Sequence, residues 1–203
     1  MYLRFWKRVF DLAAAFFGLV ILILPLLVIA ALTRATSIGP VFFLQDRIGK
    51  DGKKFRVVKF RTMSYEHQDP SSITVAGDKR LTPWGKILRR WKIDEIPQLW
   101  NVLVGEMSLV GPRPDVPGYA DRLRGSARRI LALRPGITGP STLKYANEEE
   151  LLAQAQDPVR FNDEVIFPDK VRLNLEYLET CSFWGDLGYI RQTILLTVKT
   201  KWA

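Results

Sequence analysis

The longest uncharged stretch of the chain constrains its fold more than any other feature. Residues Leu12 to Leu32 form a run of 21 residues without a charge. At about 1.5 Å per residue, a helix of that length just crosses a hydrocarbon layer of roughly 30 Å. The run continues into Thr33 and Arg34 with no small-residue cleavage site before a mature domain, so we do not expect a cleaved signal peptide. The run is predicted to lie in a membrane.

Pro25 divides this run and favours a segment that enters and leaves the membrane on one side. Proline removes a helical hydrogen-bond donor and clashes with the preceding turn, which predicts a kink. The arms before and after it, about 20 Å and about 12 Å long, are each too short to span. An ordinary spanning helix with a proline kink remains the alternative, because transmembrane helices tolerate proline.

Cations flank the run on both sides. Arg4, Lys7 and Arg8 precede it, and eight further Lys and Arg residues follow it by position 61. Under the positive-inside rule both flanks belong on the cytoplasmic side. We therefore predict a re-entrant helix within residues 1–36, with Asp11 near the headgroups, where it pairs with Lys7 or Arg8.

The inventory of reactive side chains restricts the chemistry. The chain has one cysteine, Cys181, and one histidine, His67, which excludes an intramolecular disulfide and a Cys/His zinc cluster. His67 lies in a polar, turn-like stretch and is expected to be a solvated loop residue. With 30 Lys and Arg against 21 Asp and Glu, the net charge of +9 indicates an anionic partner: nucleic acid, a membrane surface or a phosphorylated substrate. Carboxylates, cations and an oxygen-ligated metal are the groups left for catalysis.

A β-hairpin is predicted after the membrane segment. Val41–Gln45 and Phe55–Met63 have the composition of strands, and Asp51-Gly52 between them is typical of a turn. In an extended second strand, Lys59 and Arg61 share one face. These two cations form either a solvated face or part of an anion site.

Two segments have the pattern of amphipathic helices. One is expected to begin at Pro83 and run through Trp91, and the other covers the C-terminal residues from Phe183 to Trp202. Their apolar stripes either pack on the domain or lie on the membrane. We expect at least one of them to lie at the membrane interface, because the N-terminal segment already holds the domain there.

Asp94 and Glu95 are the residues that most suggest catalysis. They are adjacent acids that follow the basic pair Arg89-Arg90. In a cation-rich setting such a pair can hold Mg²⁺ through oxygen ligands, or one of its members can attack phosphorus. The alternative is a helix N-terminus, where the helix dipole favours two acids.

Two arginines sit in rigid turns. Arg113 lies between two prolines, and Arg134 precedes the Pro135-Gly136 turn. A guanidinium on a stiff backbone suits bidentate phosphate binding. No Walker A or Gly-x-Gly-x-x-Gly pattern is present, so a nucleotide would be held without those phosphate loops.

Four motifs in order resemble those of the bacterial sugar transferase family, the monotopic phosphoglycosyl transferases. They are Lys59–Met63, Asp94–Gln98, Gly111–Pro114 and Arg134–Gly139. The resemblance covers essentially the whole chain, and the short N-terminus is similar to that of the small single-domain members.

The resemblance implies an α+β fold, with a re-entrant N-terminal membrane helix, a small β-hairpin and interfacial helices around a membrane-surface active site. It implies a membrane segment in residues 1–36 and a catalytic domain in 37–203, at the cytoplasmic face of a bacterial inner membrane. The implied reaction moves a sugar 1-phosphate from a UDP-sugar to polyprenyl (undecaprenyl) phosphate and releases UMP. In that reaction Asp94 forms a covalent phosphosugar intermediate.

The resemblance also implies roles for individual residues. Asp94 and Glu95 are the catalytic pair and the Mg²⁺ ligands, with Glu95 handling the metal or a proton. The substrate-binding candidates are Lys59, Arg61, Arg89, Arg113, Arg134 and, by a weaker match, Asp186. The segment from Pro140 to Glu150 departs from the pattern that many members share. Because this segment is expected to contact the sugar, the identity of the sugar stays open, as does the oligomeric state.

Two other classes of function are compatible with the charge and the apolar anchor. A membrane-tethered nucleic-acid-binding module would explain both, but not the acids and prolines among the cations, and the sequence contains no recognisable nucleic-acid-binding fold. A non-catalytic scaffold for glycan assembly is the other alternative. The expected partners are therefore a UDP-sugar, polyprenyl phosphate and a phospholipid membrane, without nucleic acid.

Overall fold

A computed structural model describes residues 2–64 and 79–199 of the chain. His67 lies outside the described residues, as does the end of the C-terminal amphipathic segment, including Trp202. The predictions for those positions stay predictions.

The N-terminal apolar run is one long helix. A π-helical turn, Tyr2–Trp6, leads into α1, Lys7–Thr36, which contains Pro25 and is long and apolar enough to cross a membrane. Residues on both sides of Pro25 belong to this one helix, and the kink predicted at Pro25 stays a prediction. Proline removes only one donor, so helical residues can continue on both sides of it.

The predicted hairpin is confirmed. Strand β1, Phe42–Ile48, pairs antiparallel with β2, Lys54–Phe60. A 3₁₀ turn at Lys50–Gly52 joins them, with Asp51 and Gly52 at positive φ. Both strands are longer toward the turn than the sequence indicated, and β2 ends before Arg61. Lys59 lies opposite Phe43 and shares its face of β2 with the buried Val57.

Short helices and a second strand pair make up the rest of the described chain. The predicted helix at Pro83 is confirmed and is capped by the Thr82 side chain, which accepts a hydrogen bond from the Gly85 amide. The helices after the hairpin are α2 Pro83–Arg90, α3 Gln98–Val104, α4 Pro140–Lys144, α5 Glu148–Gln154, α6 Pro158–Phe161, α7 Phe167–Thr180 and α8 Phe183–Lys199. Further 3₁₀ segments are Ile93–Glu95, Ala120–Arg122 and Gly125–Ala132, and a π turn is at Asn162–Ile166.

A small parallel sheet brings the two arginine-containing turns together. Strand β3, Ser108–Val110, pairs with β4, Gly136–Thr138. The Gly136 amide, at the start of β4, donates at 2.7 Å to the carbonyl of Pro112, which follows the end of β3. A Cβ on Gly136 would lie 2.1 Å from the Gly111 nitrogen, so this approach requires glycine. The sheet thereby fixes the position of the turn that carries Arg113.

The first part of α1 is part of the domain core. Ala15 is fully buried against Val102 of α3, in a cluster with Phe55, Val57 and Met107. Asp11 is buried as well, and its Oδ1 accepts a hydrogen bond from the Leu109 amide at 3.0 Å. Asp11 therefore caps a backbone amide of β3 within the domain.

Asp186 joins the two terminal helices, α1 and α8. Its carboxylate is fully buried and accepts hydrogen bonds from Lys7 at 2.5 Å and from the hydroxyls of Tyr2 and Tyr177 at 2.6 Å. Three protein donors therefore already use both of its oxygens. The structure gives Asp186 a place in a buried ion pair, and it does not bring Asp186 into the lining of the cavity that holds Asp94 and Glu95.

We expect Asp186→Asn to lower the free energy of unfolding by about 3–5 kcal/mol, because it leaves the buried Lys7 ammonium without its counter-ion. Chemical or thermal unfolding in detergent measures this change. Glu179→Gln is the matched control, since the Arg129–Glu179 ion pair is more than half exposed and such pairs contribute about 0–1 kcal/mol. An Asp186→Asn protein of unchanged stability but weakened substrate binding would contradict the structural role.

Candidate active site

A cavity of about 1020 Å³ collects most of the predicted site residues. It is lined by Lys59, Arg89, Asp94, Glu95 and Arg113, which come from separate parts of the chain. Its lining also includes apolar residues of the two long helices, among them Phe10, Ala14, Leu22, Leu187, Ile190 and Ile194. The cavity therefore joins a charged site to the apolar helices α1 and α8.

A tight turn places the two acids. Helix α2 ends at Arg90, and Lys92 then adopts a left-handed conformation with φ of 52°. This residue reverses the chain into the 3₁₀ segment Ile93–Glu95, and α3 follows after Pro97. Both acids are buried and lie in this 3₁₀ turn just before α3, so a position near a helix N-terminus and a place in the cavity hold together.

Glu95 is the anion at the centre of a three-residue ion cluster. Its Oε1 accepts hydrogen bonds from Lys59 Nζ and from Arg113 Nη2, each at 2.8 Å. Burial acts to raise the pKa of Glu95, but the charges of Arg113 and Lys59 overcome it and hold that pKa well below its usual range. Burial also lowers the pKa of Lys59. Glu95 is therefore ionised across the physiological range.

Asp94 is the less satisfied member of the pair. Its Oδ1 is buried and has no hydrogen-bond partner among the described residues. Burial, followed by the negative charge of Glu95, raises the pKa of Asp94 to about 6, while Lys59 and Arg89 act in the opposite direction. At neutral pH Asp94 is a desolvated carboxylate with an unused oxygen, which is the state that a nucleophile or a metal ligand requires.

The donor set of the site fits Mg²⁺. The unpartnered Oδ1 of Asp94 is an available ligand, and the two cations bind Oε1 of Glu95. Among the described residues no group of three or more Asp, Glu, His or Cys side chains could enclose a metal ion. Mg²⁺ commonly binds one or two carboxylates and completes its shell with water and substrate phosphates, so the pair is sufficient.

Arg89 connects the end of the hairpin segment to helix α5 within the cavity lining. Its Nε donates to Thr62 Oγ1 at 3.0 Å, and its Nη1 contacts Glu149 of α5 at 3.2 Å. The prediction that Arg89 belongs to the site thus agrees with its place in the cavity lining.

Two predicted substrate-binding arginines lie elsewhere. Arg61 is 2% exposed and donates to the Ser37 carbonyl at 2.8 Å and to the Ser37 hydroxyl at 2.7 Å, which ties the end of β2 to the end of α1. Arg134 donates to the Gly105 carbonyl at 2.8 Å. Neither lines the cavity, and both stabilise the backbone near it. Since β2 ends at Phe60, the strand does not carry Arg61 to the face of Lys59.

Sequence reasoning missed several charged residues of the cavity. Arg47, Asp115, Glu148 and Lys170 all line it. Asp115 follows the Arg113-Pro114 pair, and its place next to a rigid motif was an available signal. The others lie far apart in the sequence, and only the tertiary fold brings them together.

Removing the negative charge of Glu95 should change the titration of Asp94. In Glu95→Gln, Lys59 and Arg113 lose their anionic partner and a cause of the raised pKa disappears, so we expect the pKa of Asp94 to fall below about 6. Infrared difference spectra in metal-free buffer can follow the protonated carboxyl band across pH. Asp94→Asn identifies the contribution of Asp94, because Asp115 also titrates near pH 6. An unchanged pKa in Glu95→Gln would mean that the two acids are not coupled.

Comparison with known proteins identifies a family that matches almost the whole chain. Residues 2–200 match the family described as "Bacterial sugar transferase". The chain is 39% identical, over 93% of its length, to a UDP-glucose:undecaprenyl-phosphate glucose-1-phosphate transferase of Caulobacter vibrioides. It is 31% identical over 98% of its length to a UDP-galactose-lipid carrier transferase of Erwinia amylovora. A UDP-N-acetylgalactosamine-undecaprenyl-phosphate N-acetylgalactosaminephosphotransferase of Aeromonas hydrophila is 34% identical over 94% of the chain. The chain spans 68%, 42% and 43% of the lengths of these three relatives, respectively.

Proposed function

Because the chain belongs to the bacterial sugar transferase family, we propose that it transfers a sugar 1-phosphate from a UDP-sugar to polyprenyl (undecaprenyl) phosphate. The observation that carries this proposal is the buried, unpartnered carboxylate oxygen of Asp94 beside the Glu95 ion cluster, in a cavity that extends to the apolar helices. The three relatives described above are named for three different sugars. This supports the reaction class and leaves the sugar open.

In the first step, the carboxylate of Asp94 attacks the phosphorus that bears the sugar. An oxygen–phosphorus bond forms to Asp94, and the bond from that phosphorus to the bridging oxygen breaks. UMP leaves with the bonding electrons, and an acyl phosphate that carries the sugar remains on the enzyme. The pKa of Asp94 near 6 suits this role, because the group is ionised at neutral pH and poorly solvated.

In the second step, a phosphate oxygen of the polyprenyl carrier attacks the same phosphorus. The acyl–phosphate bond breaks, and the Asp94 carboxylate is regenerated. The product is a polyprenyl diphosphate sugar. The apolar residues of α1 and α8 in the cavity wall give the carrier chain a route from the lipid to the carboxylate pair.

Stabilisation of phosphate charge is the main electrostatic task of both steps. Arg113 and Lys59 are held beside the acids by Glu95, and Arg89 lies close enough to influence the pKa of Asp94. A bound Mg²⁺, with Asp94 and Glu95 as ligands, would neutralise part of the diphosphate charge. Glu95 keeps the cations in position throughout, because its own pKa holds it ionised.

The contacts of α1 support a re-entrant arrangement. Near its start, Asp11 contacts Leu109, and near its end the Thr33 hydroxyl accepts a hydrogen bond from Trp84 Nε1 at 3.1 Å. These positions are 22 residues apart, or about 33 Å along a straight helix, which is the full thickness of a hydrocarbon core. A domain on one side of a bilayer could not contact both ends of a helix that spans it.

Exposed apolar side chains next to both ends of α1 support contact of the domain with the membrane. Ile38 is 86% exposed after its C-terminal end, and Ile87 of α2 is exposed as well. Trp184 of α8 is 79% exposed near the N-terminal end, where Phe183 packs on Tyr2. We therefore place the domain at a membrane surface, which by the positive-inside argument is the cytoplasmic face of the inner membrane.

Asp94→Asn should abolish transfer, with a loss of about 10³-fold or more, because it removes the nucleophile at almost constant shape. Wild-type protein given labelled UDP-sugar without carrier should release UMP and retain a phosphosugar on the peptide that contains Asp94. Asp46→Asn, the same change on the exposed face of β1, is the control and should retain activity. Release of UDP, or normal turnover by Asp94→Asn, would exclude the covalent mechanism.

The N-terminus and the hairpin turn should lie on the same side of the membrane. In a Cys181→Ser background, single cysteines at the exposed positions Phe5 and Lys50 should react with an impermeant thiol reagent from the same side of sealed vesicles. Pro25→Ala should move some molecules toward a spanning orientation, since it restores the missing helical donor. If the two positions are labelled from opposite sides in proteins that retain Pro25, the helix spans the membrane instead.

A further inference from the structure

A second group of charged residues lines the same cavity and has no part in the steps above. We call Asp115, Glu148 and Lys170 the Asp115 wall. Lys170 Nζ and Glu148 Oε1 form an ion pair at 2.7 Å. Arg47 lines the cavity as well, and its charge and that of Lys170 act on the Asp115 carboxylate.

The backbone at Asp115 is held firmly by β1. The Asp115 carbonyl accepts a hydrogen bond from the Ile48 amide at 2.9 Å, and the preceding Pro114 carbonyl accepts one from Arg47 Nη1 at 3.0 Å. The prolines that flank Arg113, one on each side, restrict the backbone of the same stretch further. Asp115 thus has a fixed position in the cavity wall, as a ligand contact requires.

The cations near Asp115 donate their hydrogen bonds to other groups. Lys170 pairs with Glu148, Arg113 with Glu95, and Arg47 with the Pro114 carbonyl and the Gln45 side chain. No side chain among the described residues donates to the Asp115 carboxylate. Burial raises the pKa of Asp115 to about 6, against the charges of Lys170 and Arg47, so at neutral pH it is a partly desolvated anion that needs hydrogen-bond donors.

We propose that Asp115 accepts hydrogen bonds from a vicinal diol of the nucleotide-sugar donor. This inference rests on the proposed function and identifies a residue that recognises the donor substrate. The two oxygens of a carboxylate match two neighbouring hydroxyl donors, and an ionised carboxylate, which only accepts hydrogen bonds, cannot bind a phosphate oxygen directly.

The spacing along the chain agrees with this assignment. Arg113 precedes a proline and is therefore biased toward an extended conformation, in which two residues cover about 6.6 Å. A donor whose diphosphate lies at the Arg113 cluster would place an adjoining sugar ring at about that distance. The diol belongs either to the transferred sugar or to the ribose of the nucleotide, since both rings adjoin the diphosphate.

The test compares full-length wild type with Asp115→Asn and Asp46→Asn in detergent. Asp46→Asn makes the same change of charge on the exposed face of β1. We expect Asp115→Asn to lower kcat/KM for the UDP-sugar by about 10- to 100-fold, the effect of a charge-assisted hydrogen bond. The KM for polyprenyl phosphate and the melting temperature should stay unchanged, and Asp46→Asn should resemble wild type.

Inhibition by UMP distinguishes the two rings. If Asp115→Asn weakens inhibition by UMP in proportion to its loss of kcat/KM for the donor, the diol belongs to the ribose. If inhibition by UMP is unchanged, the diol belongs to the transferred sugar. An unchanged kcat/KM for the donor, or an equal loss for donor and carrier, overturns the proposal. Should Asp115→Asn fail to fold, Asp115→Glu takes its place, because it keeps the charge but moves the oxygens by one methylene. Asp115→Glu should also lower kcat/KM for the donor without changing the KM for the carrier.

Equilibrium binding of UDP-glucose and the other UDP-sugars separates this proposal from the proposed function. If wild type binds a UDP-sugar but turns none over, the proposed transfer fails, and weaker binding by Asp115→Asn still supports the Asp115 contact. If both proteins turn over and bind alike, the transfer stands and the Asp115 contact fails.

Discussion

The ion cluster of Glu95 is the interaction on which the site depends. Its carboxylate connects β2 through Lys59, the 3₁₀ turn through its own backbone and the proline-rich turn through Arg113. Each cation alone would be costly to bury, and without the cations burial would raise the pKa of Glu95. Together they produce a fixed, positively charged surface next to Asp94. The electrostatic environment of Asp94 is thus a consequence of how three distant chain segments pack.

The anchoring of α1 at both ends is the second constraint. Its N-terminal part contributes Lys7, Asp11 and Ala15 to buried contacts, so this helix belongs to the domain core as well as to the apolar surface. Its C-terminal end contacts Trp84 and Arg61 through Thr33 and Ser37. Because the cavity includes residues of the same helix, the packing of α1 on the domain and the shape of the site are coupled.

Local features were predictable from the sequence, and long-range pairings were not. The hairpin, the helix at Pro83 and the grouping of Lys59, Asp94, Glu95 and Arg113 follow from turn chemistry and from motifs. Arg61, Arg134 and Asp186 were expected at the substrate because each lies in or near a motif. A motif does not show in which direction a charged side chain points. Their actual partners are a hydroxyl and carbonyls for the arginines, and an ammonium and two phenols for Asp186. Residues on both sides of Pro25 belong to α1, and the kink predicted there stays a prediction.

The close approach of Gly111 and Gly136 has a consequence for the order of folding. Strands β3 and β4 are parallel and are joined by a long connection, so their pairing carries a large loop-closure cost and forms slowly compared with the hairpin. The Gly136 amide fixes the Pro112 carbonyl, beside Arg113. The hairpin and α3 can therefore form while Arg113 is still remote from Glu95. The ion cluster of Glu95 is complete only when this last pairing closes, so a nascent or partly folded chain has the Asp94–Glu95 turn before it has the Arg113 contact.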